Sequence, residues 1–211
     1  MPQDLENEKQ KRFTAMKIIR DELVDFRNSP LFEYRTKNGY FPVVGEGSHF
    51  ARVMFIGEAP GETEAKTGKP FCGASGRVLD ECFAHIAMPR LDAYVTTIVK
   101  DRPPNNRDPE LDEILLYSPY LDRQIEIIQP AVIATQGRFS MDYIMKKFNR
   151  GTDLRAISKI HGQVFEAETA YGKIKILPLY HPAATIYNRA TREDLFKDFE
   201  TLKILISPIN N

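Results

Sequence analysis

The sequence lacks the features that mark secreted and membrane proteins. Its 211 residues include only two cysteines, Cys72 and Cys82, so no disulfide framework is available, which fits a reducing compartment. No apolar run approaches the length of a membrane span, and the first six residues lack the apolar segment of a signal peptide. We therefore expect a cytoplasmic protein that does not contact a membrane.

An excess of charge of one sign is also lacking, because 29 Lys and Arg residues balance 29 Asp and Glu residues. This balance argues against a polyelectrolyte tail, although a local basic face remains compatible with it. The sequence contains no internal repeat and no low-complexity linker. A length of 211 residues with 42% hydrophobic residues suits one domain with a substantial core, so we expect a single domain over residues 1–211 and a monomer.

What the sequence does contain is an alternation of strand-like and helical patterns. Apolar residues recur at three- and four-residue steps near the start of the chain, which predicts a helix over residues 4–27 that packs on the domain. Strand-like runs lie at residues 53–56, 94–99, 132–134 and 174–180. Helical patterns separate them, so the alternation predicts an α/β fold. One of these patterns covers residues 111–129 and contains Pro119, which is able to kink or divide that helix.

Three of the strand-like runs are each followed by a loop of polar or rigid residues. The first run leads into a glycine-rich loop over residues 57–76, the second into residues 100–109, and the last into His181 and Pro182. In an α/β sheet, ligands bind in the crevice beyond the carboxyl ends of the strands, where backbone N–H groups and helix N-termini converge. A glycine-rich loop alone is as compatible with a simple turn as with a site, but the convergence of three loops favours a site.

At these loops the sequence resembles the uracil-DNA glycosylase superfamily, and most closely its family 4. The family's motif G-E-x-P-G, followed by an acidic cluster and G-x-P-F-x-G-x-x-G, is matched over residues 57–76. The second motif, T-N-V-V-K-C-R-P-P-x-N-R-x-P, is matched over residues 96–109 except at Thr97 and Asp101. The third motif, H-P, is matched at residues 181–182.

The resemblance covers roughly residues 24–200 and implies both a fold and an activity. The fold is a three-layer α/β sandwich with a central, mostly parallel four-stranded sheet flanked by helices. The activity is that of a monofunctional DNA glycosylase, which hydrolyses the N-glycosidic bond of a flipped damaged base during base excision repair. Uracil is the expected base, and the expected partner is DNA that contains deaminated bases.

Members of family 4 usually hold an iron–sulfur cluster on four cysteines, and this chain departs from that pattern. Two of the family's ligands are spaced C-x-x-C near the start, one lies in the C-R-P-P string and one precedes the P-Y-L string. Matching the chain to that pattern places Phe26, Ser29, Asp101 and Tyr117 at the four positions. None of these residues supplies the thiolate that such clusters require, so we expect neither a cluster nor another metal or cofactor.

The resemblance assigns the chemistry to His181 and Glu58. Cleavage of an N-glycosidic bond leaves negative charge on the departing base, and a ring N–H of His181 directed at uracil O2 would stabilise that charge. The alternative for His181 is a histidine that caps the strand end by bonding backbone. Glu58 is expected to orient or deprotonate the attacking water. Other branches of the superfamily carry an acidic residue at the position of Ala59, which leaves open that stabilisation of the leaving group dominates.

Five residues are expected to surround the base, namely Gly57, Ala59, Glu64, Phe71 and Thr97. Phe71 would stack on the extruded base, with a buried core phenylalanine as the alternative. The family places at Thr97 an asparagine that reads the amide edge of uracil, whereas threonine offers a single hydroxyl on a shorter arm. Thr97 therefore either contacts the base or simply fills the strand. Glu64 either opposes a methyl group at the pyrimidine 5-position or is solvated.

Phosphate contacts are expected from backbone amides near Ser75 and from the second loop, and Ala183 would begin a wedge that enters the duplex. The expected DNA-binding residues are Ser75, Lys100, Arg102, Asn106, Arg107 and Ala183. Thr97 and the missing cysteines keep two alternatives open: a catalytically weak or inactive nucleic-acid-binding homologue, and a glycosylase for another deaminated base. A third option, an enzyme for nucleotides or small phosphorylated ligands, explains the R-P-P and H-P-A-A strings poorly.

Overall fold

One mixed sheet forms the centre of the computed structural model, which describes residues 2–207. Its strands are β1 (Glu46–Gly47), β2 (Val53–Gly57), β3 (Tyr94–Thr97), β4 (Val132–Gln136), β5 (Phe165–Thr169) and β6 (Gly172–Leu179). The spatial order is β1-β3-β2-β4-β6-β5, in which the four central strands run parallel and the two edge strands antiparallel. The predicted α/β class with four central parallel strands is confirmed, and the sheet has two further edge strands.

Helices cover both faces of this sheet. They are α1 (Pro2–Val24), α2 (Phe32–Lys37), α3 (Glu62–Thr67), α4 (Ala74–His85), α5 (Leu111–Ile128), α6 (Arg138–Lys147), α7 (Ile157–Ile160), α8 (Pro182–Thr185) and α9 (Arg189–Ile206). Leu23, Leu121 and Ile144 of α1, α5 and α6 belong to one core cluster, and Leu79 and Phe199 of α4 and α9 belong to the other. The three layers that the resemblance implied are present. None of the helices between residues 2 and 207 is long and apolar enough to cross a membrane.

The central strands are buried on both faces because helices cover both. Every residue of β2, β3 and β4 is buried, which agrees with their nearly continuous apolar sequences. Successive residues of a strand point to opposite faces, so Met54 of β2 packs in the first core cluster and Phe55 in the second.

The first helix ends earlier than predicted. The apolar pattern indicated residues 4–27, whereas α1 ends at Val24. The guanidinium of Arg35 donates hydrogen bonds to the carbonyl oxygens of Leu23 at 2.7 Å and Val24 at 2.6 Å. These bonds satisfy two of the carbonyls that a helix end leaves unpaired. Because Arg35 belongs to the next helix, α2, apolar periodicity within α1 does not reveal this end.

The helix α5 is continuous although Pro119 lies in its middle. A proline lacks the N–H that would bind the carbonyl four residues earlier, here that of Leu115. The hydroxyl of Ser118 donates to that carbonyl at 3.3 Å and compensates part of the loss. The division of this helix that Pro119 made conceivable is therefore not observed.

Candidate active site

A cavity of about 410 Å³ opens at the carboxyl edge of the sheet. The loops that follow β2, β3 and β6 all contribute to its wall. Of the residues expected at the site, the wall contains Glu58, Ala59, Glu64, Phe71, Ser75, Thr97, Asn106, Arg107, His181 and Ala183. Gly57, Lys100 and Arg102 do not line it.

His181 follows β6 and is half-buried in the cavity wall. The backbone N–H of Ala183 donates to its Nδ1 at 3.2 Å, so the ring proton is assigned to Nε2. Burial lowers the pKa of His181 to about 4, and the charge of Glu64 opposes this shift. His181 is therefore a neutral imidazole at neutral pH. The bond from Ala183 also caps α8, so the capping role applies to Nδ1 and leaves Nε2 without a partner among the described residues.

The ring of Phe71 lies beside that of His181, with 5.8 Å between the ring centroids and 35° between the ring planes. Two glycines make its position accessible. A Cβ on Gly57 would lie 2.6 Å from Cζ of the ring, and a Cβ on Gly76 would overlap the Phe71 carbonyl oxygen. Phe71 is 6% exposed and packs with the second core cluster while it also lines the cavity. Gly57 thus acts by making room for the ring rather than by lining the cavity.

Glu58 follows β2 and is half-buried in the same wall. Burial raises the pKa of Glu58 to about 7; the nearby charge of Asp108 adds to the rise, and Arg138 opposes it. Asp108 and Arg138 form an ion pair with each other. Neither residue was singled out from the sequence, although Asp108 lies within the second motif. The cavity therefore holds a carboxyl group that ionises near neutral pH.

Gly137 joins β4 to α6 and allows Glu58 and His181 to approach each other. Its φ of +92° lies in the region that favours glycine. A Cβ at this position would overlap Oε1 of Glu58 and lie 3.2 Å from Cβ of His181. The sequence motifs did not single out Gly137. The signal for its further role was a glycine directly after a buried strand, at the edge where ligands bind.

Glu64 anchors the loop that carries Phe71. Its Oε1 accepts hydrogen bonds from the backbone N–H of Cys72 at 2.9 Å and of Gly73 at 2.8 Å. A Cβ on Gly61 would lie 2.7 Å from Oε2 of Glu64, so glycine there lets the carboxylate approach. The solvated alternative does not describe Glu64, because its carboxylate is bonded to the loop backbone. A contact between Glu64 and the pyrimidine 5-position stays a prediction.

Thr97 ends β3 and is 2% exposed, yet it lines the cavity. Its hydroxyl donates to the carbonyl oxygen of Val99 at 2.7 Å, so its single proton is engaged by backbone. A base beside Thr97 meets an acceptor and a methyl group but no donor. Thr97 therefore does not reproduce the paired donor and acceptor of the family's asparagine.

Lys100 is fully buried and does not reach the surface. Its Nζ donates to Oγ1 of Thr96 at 2.7 Å, to the carbonyl oxygen of Thr97 at 2.5 Å and to Oε1 of Gln124 at 2.7 Å. Burial lowers the pKa of Lys100 well below its ordinary value. A side chain enclosed in this way cannot contact a phosphate at the surface. Lys100 is therefore withdrawn from the expected DNA contacts and instead supports the end of β3.

Arg102 and Arg107 brace the second loop from within. Arg102 donates from Nε to Oδ1 of Asn106 at 2.7 Å and from Nη1 to the hydroxyl of Tyr40 at 2.8 Å. Arg107 forms a fork with the buried carboxylate of Glu113, with N–O distances of 2.9 and 2.5 Å. Most of the guanidinium donors expected on phosphates are thus engaged inside the protein. Asn106 remains exposed at the cavity.

Two exposed segments flank the cavity. Ser75 in the first turn of α4 lines it, and Arg77 two residues later is exposed, with a side chain that makes no ion pair or hydrogen bond to any residue in 2–207. After His181, Ala183 is exposed and Tyr187 is 98% exposed. The sequence motifs do not include Arg77. Its place in the first turn of a helix is known only once the start of α4 is known.

The four residues at the family's cysteine positions lie together, although none of them is a thiol. The hydroxyl of Tyr117 donates to Asp101 at 2.5 Å and lies 2.6 Å from the hydroxyl of Ser29, and Phe26 packs edge-on against Tyr117 with 5.3 Å between ring centroids. The two cysteines lie elsewhere, one exposed on the loop before α4 and one buried in α4. Within residues 2–207, no three His, Cys, Asp or Glu side chains are grouped to hold a metal ion. These residues do not fit an iron–sulfur cluster.

A neutral imidazole, a carboxyl group of raised pKa and an aromatic ring around one strand-end cavity define an α/β protein with a glycosylase-type site. A family model described as the Uracil DNA glycosylase superfamily matches residues 44–202. The chain therefore belongs to the uracil-DNA glycosylase superfamily.

Three similar proteins are each named type-4 uracil-DNA glycosylase. The one from Saccharolobus solfataricus is 46% identical over 192 residues, which cover 90% of this chain and 86% of that protein. The one from Sulfurisphaera tokodaii is 42% identical over 192 residues, which cover 90% and 84%. The one from Archaeoglobus fulgidus is 41% identical over 185 residues, which cover 88% and 89%.

Proposed function

We propose that this protein is a monofunctional DNA N-glycosylase that releases uracil from DNA in base excision repair. Membership of the superfamily and the names of the similar proteins support the proposal. The single observation that carries it is the neutral imidazole of His181, whose Nδ1 accepts from Ala183 while its Nε2–H stays available beside Phe71.

His181 stabilises the departing base. As the N-glycosidic bond breaks, the bonding electron pair moves onto the base and negative charge grows on its carbonyl oxygen. A hydrogen bond from Nε2–H to that oxygen strengthens as the charge develops. Because His181 is already neutral, it acts as a donor over the whole neutral range of pH.

Glu58 activates or orients the attacking water. In its ionised form the carboxylate accepts a proton from water, or orients water toward the sugar carbon that loses the base. Asp108 also lines the cavity, but its carboxylate is paired with Arg138, whereas Glu58 keeps a pKa of about 7. Glu58 is therefore the better base near neutral pH.

No amine takes part as a nucleophile, so the enzyme is monofunctional. Lys100 has a lowered pKa, but it does not line the cavity and its Nζ donates to three internal acceptors. An amine enclosed in this way cannot attack the sugar. The reaction is accordingly hydrolysis without a lyase step.

DNA binds across the mouth of the cavity. Backbone amides around Ser75 and the side chains of Asn106 and Arg77 contact phosphates, and the segment from Ala183 to Tyr187 occupies the space that the flipped nucleotide leaves. The extruded base stacks on Phe71. In this proposal the protein acts as a cytoplasmic monomer without a metal or iron–sulfur cofactor.

A second candidate is a glycosylase for another deaminated base. The observation that favours it is the engaged hydroxyl of Thr97, which leaves no donor at the position of the family's asparagine. Hypoxanthine and xanthine present different donors and acceptors from uracil, so the choice of base depends on this position.

The test is direct measurement of base release. The protein is incubated with duplex and single-stranded oligonucleotides that carry uracil, hypoxanthine, xanthine or a mismatched thymine, and alkali then cleaves the abasic sites. We expect release of uracil, with a loss of at least about tenfold in His181→Ala, because one donor to a developing anion is removed. His85→Ala is the matched control, since His85 lies at the end of α4 and pairs with Glu200.

Three outcomes separate the readings. Release of another base in preference to uracil identifies the second candidate. Release of no base from any substrate contradicts the enzyme proposal and supports the nucleic-acid-binding alternative. Equal turnover in His181→Ala and His85→Ala rules out the role given to His181.

A further inference from the structure

Four segments of the chain meet in a hydrogen-bond network around Asp101, which Arg35 and Tyr117 contact directly and Ser29 reaches through Tyr117. Asp101 follows β3, Arg35 lies in α2, Tyr117 lies in α5, and Ser29 lies between α1 and α2. Arg35 is 3% exposed and Asp101 is 0% exposed, so both charges of this pair are withdrawn from water. Breaking such a pair leaves an uncompensated buried charge, which is strongly unfavourable.

The pairing around Asp101 is complete. Nη1 of Arg35 lies 3.1 Å from each carboxylate oxygen, and the Tyr117 hydroxyl donates to Oδ2 at 2.5 Å. The hydroxyl of Ser29 continues the network at 2.6 Å from the Tyr117 oxygen and accepts the N–H of Leu31 at 3.0 Å. The same Arg35 guanidinium caps the last carbonyls of α1. A fully satisfied buried network of this kind holds its members in one arrangement.

In the chain, Asp101 of this network directly precedes a loop that forms part of the cavity wall. The loop that begins after Asp101 contributes Pro103, Asn106, Arg107 and Asp108 to that wall. Asp108 of the same loop also raises the pKa of Glu58 through its charge. The position of the loop therefore affects both the surface that meets DNA and the electrostatics of the proposed base.

We propose that Asp101 is a positioning residue which, together with Arg35 and Tyr117, fixes the loop over residues 102–109 to α2 and α5 by hydrogen bonds, at the place where the family's pattern has metal ligands. The inference rests on the proposed function where it concerns DNA, while its structural part stands without it. Because these hydrogen bonds hold the loop without a metal ion, the position of the cavity wall does not depend on iron.

The first test breaks the network. Asp101→Asn leaves Arg35 without its counter-charge, so we expect amide hydrogen exchange in residues 102–109 to speed up at least about tenfold. We expect KM for uracil-containing DNA to rise by about tenfold, because the loop contributes Asn106 to the surface proposed to meet DNA. We expect kcat at pH 8 to change less than about threefold, because Glu58 is ionised there whether or not Asp108 of the loop keeps its place. Tyr117→Phe removes the hydrogen bonds to Asp101 and Ser29 without exposing a charge, and it should give the same changes at smaller size.

The matched controls are Asp122→Asn and Tyr143→Phe. Tyr143 donates to Asp122 at 2.7 Å between α6 and α5, which is the same type of bond on the same helix but away from the loop. These variants are expected to unfold at lower denaturant concentration while exchange in residues 102–109 and KM stay at wild-type values.

A double variant separates positioning from stability. Arg35→Met with Asp101→Leu replaces the buried pair by apolar side chains, an exchange that often preserves stability. We expect its unfolding midpoint to return toward the wild-type value while KM stays raised, because apolar contacts do not direct the loop. Recovery of both quantities would show that the network only stabilises the fold.

Two results would overturn the proposal outright: wild-type exchange and KM in both Asp101→Asn and Tyr117→Phe, or purification of the wild-type protein with stoichiometric iron. If the wild type releases no base from any substrate, the proposed function fails. The exchange of residues 102–109 and the iron content then still decide the structural part.

Discussion

At the scale of single residues, burial shifts two cavity groups toward their uncharged forms. The pKa of His181 falls to about 4 and that of Glu58 rises to about 7. Desolvation disfavours a charged imidazole and a charged carboxylate alike, so the same cause moves the two values in opposite directions. The outcome is a constant hydrogen-bond donor next to a base that switches on near neutral pH.

The pH dependence of excision should follow Glu58. We expect kcat/KM to rise with pH and level off above about 7, because only the ionised carboxylate acts on water. Glu58→Gln should be slower by about 10²-fold and nearly independent of pH between 6 and 9. Single-turnover rates across this range provide the measurement, with Glu62→Gln as the control because Glu62 is exposed and paired with Lys66. A sloping profile in Glu58→Gln would assign the ionisation to another group.

The raised pKa of Glu58 also affects the stability of the folded protein. Below pH 4.5 Glu58 is protonated in both the folded and the unfolded state, whereas between pH 4.5 and about 7 only the unfolded state loses its proton. Stability is therefore lost as pH rises through this window. Glu58→Gln should raise the free energy of unfolding by on the order of 2 kcal/mol at pH 8 and leave it unchanged at pH 4. Urea titrations at the two pH values test this difference.

Base preference should depend on Thr97. Its proton is engaged by Val99, so replacing it with an amide adds the missing donor. We expect Thr97→Asn to increase the preference for uracil over hypoxanthine by about tenfold, measured as the ratio of the two kcat/KM values. Thr97→Val is the matched control, since it removes the hydroxyl without adding an amide. An unchanged ratio in Thr97→Asn would show that this side chain does not reach the base.

At the scale of secondary-structure elements, the site depends on how four parallel strands end. The ends of β2, β3 and β6 each contribute a side chain to the cavity wall. The end of β4 is followed by Gly137, which has no side chain and leaves room for its neighbours. Glu58 and His181 occupy that space from two different loops. The junction of β4 and α6 therefore contributes to the site because Gly137 has no side chain that would fill this space.

Gly137→Ala should impair excision strongly. The added Cβ would overlap Oε1 of Glu58 and press on His181, and it would also strain a backbone with φ of +92°. Gly172→Ala is the matched control, because Gly172 has φ of +123° but nothing lies within 4 Å of its Cβ position. We expect a loss of at least about tenfold in single-turnover rate for Gly137→Ala and less than about threefold for Gly172→Ala. Equal losses would attribute the effect to backbone strain alone.

At the scale of the whole molecule, the net charge is zero, so the affinity for DNA depends on where individual cations lie on the surface. Lys100, Arg102 and Arg107 of the second loop are engaged by internal partners. Among residues 2–207, few unpaired cations therefore remain near the cavity, and one of them is Arg77 in the helix that carries Ser75. The salt dependence of binding should be correspondingly shallow.

Removing Arg77 should lower that salt dependence further. Each phosphate neutralised on duplex DNA contributes about −0.9 to the slope of log K against log salt concentration. We expect Arg77→Ala to reduce the slope by about one phosphate equivalent in fluorescence anisotropy titrations between about 50 and 200 mM salt. Lys173→Ala is the control, since Lys173 is exposed at the amino end of β6, away from the cavity. The same reduction in both variants would mean that general charge, not this contact, was measured.

Local patterns determined the parts of the protein whose cause lies within one segment. Continuous apolar runs specify strands that are buried on both faces, and the motifs after them place Glu58 and His181 just beyond strand ends and Phe71 in the loop before α4. Since parallel strands end at one edge, the meeting of these three residues around one cavity also follows from the sequence. The absence of cysteine at the four family positions was likewise readable there.

Only the tertiary structure decided the features whose partners are remote in the chain. The buried state of Lys100, the end of α1 at the Arg35 guanidinium and the space at Gly137 all depend on contacts between distant segments. A pattern in one segment records the polarity of a side chain but not whether its charge is enclosed by another segment. For that reason the sequence determined which residues reach the edge of the sheet, and packing decided which of them face the cavity, which brace it, and in which protonation state.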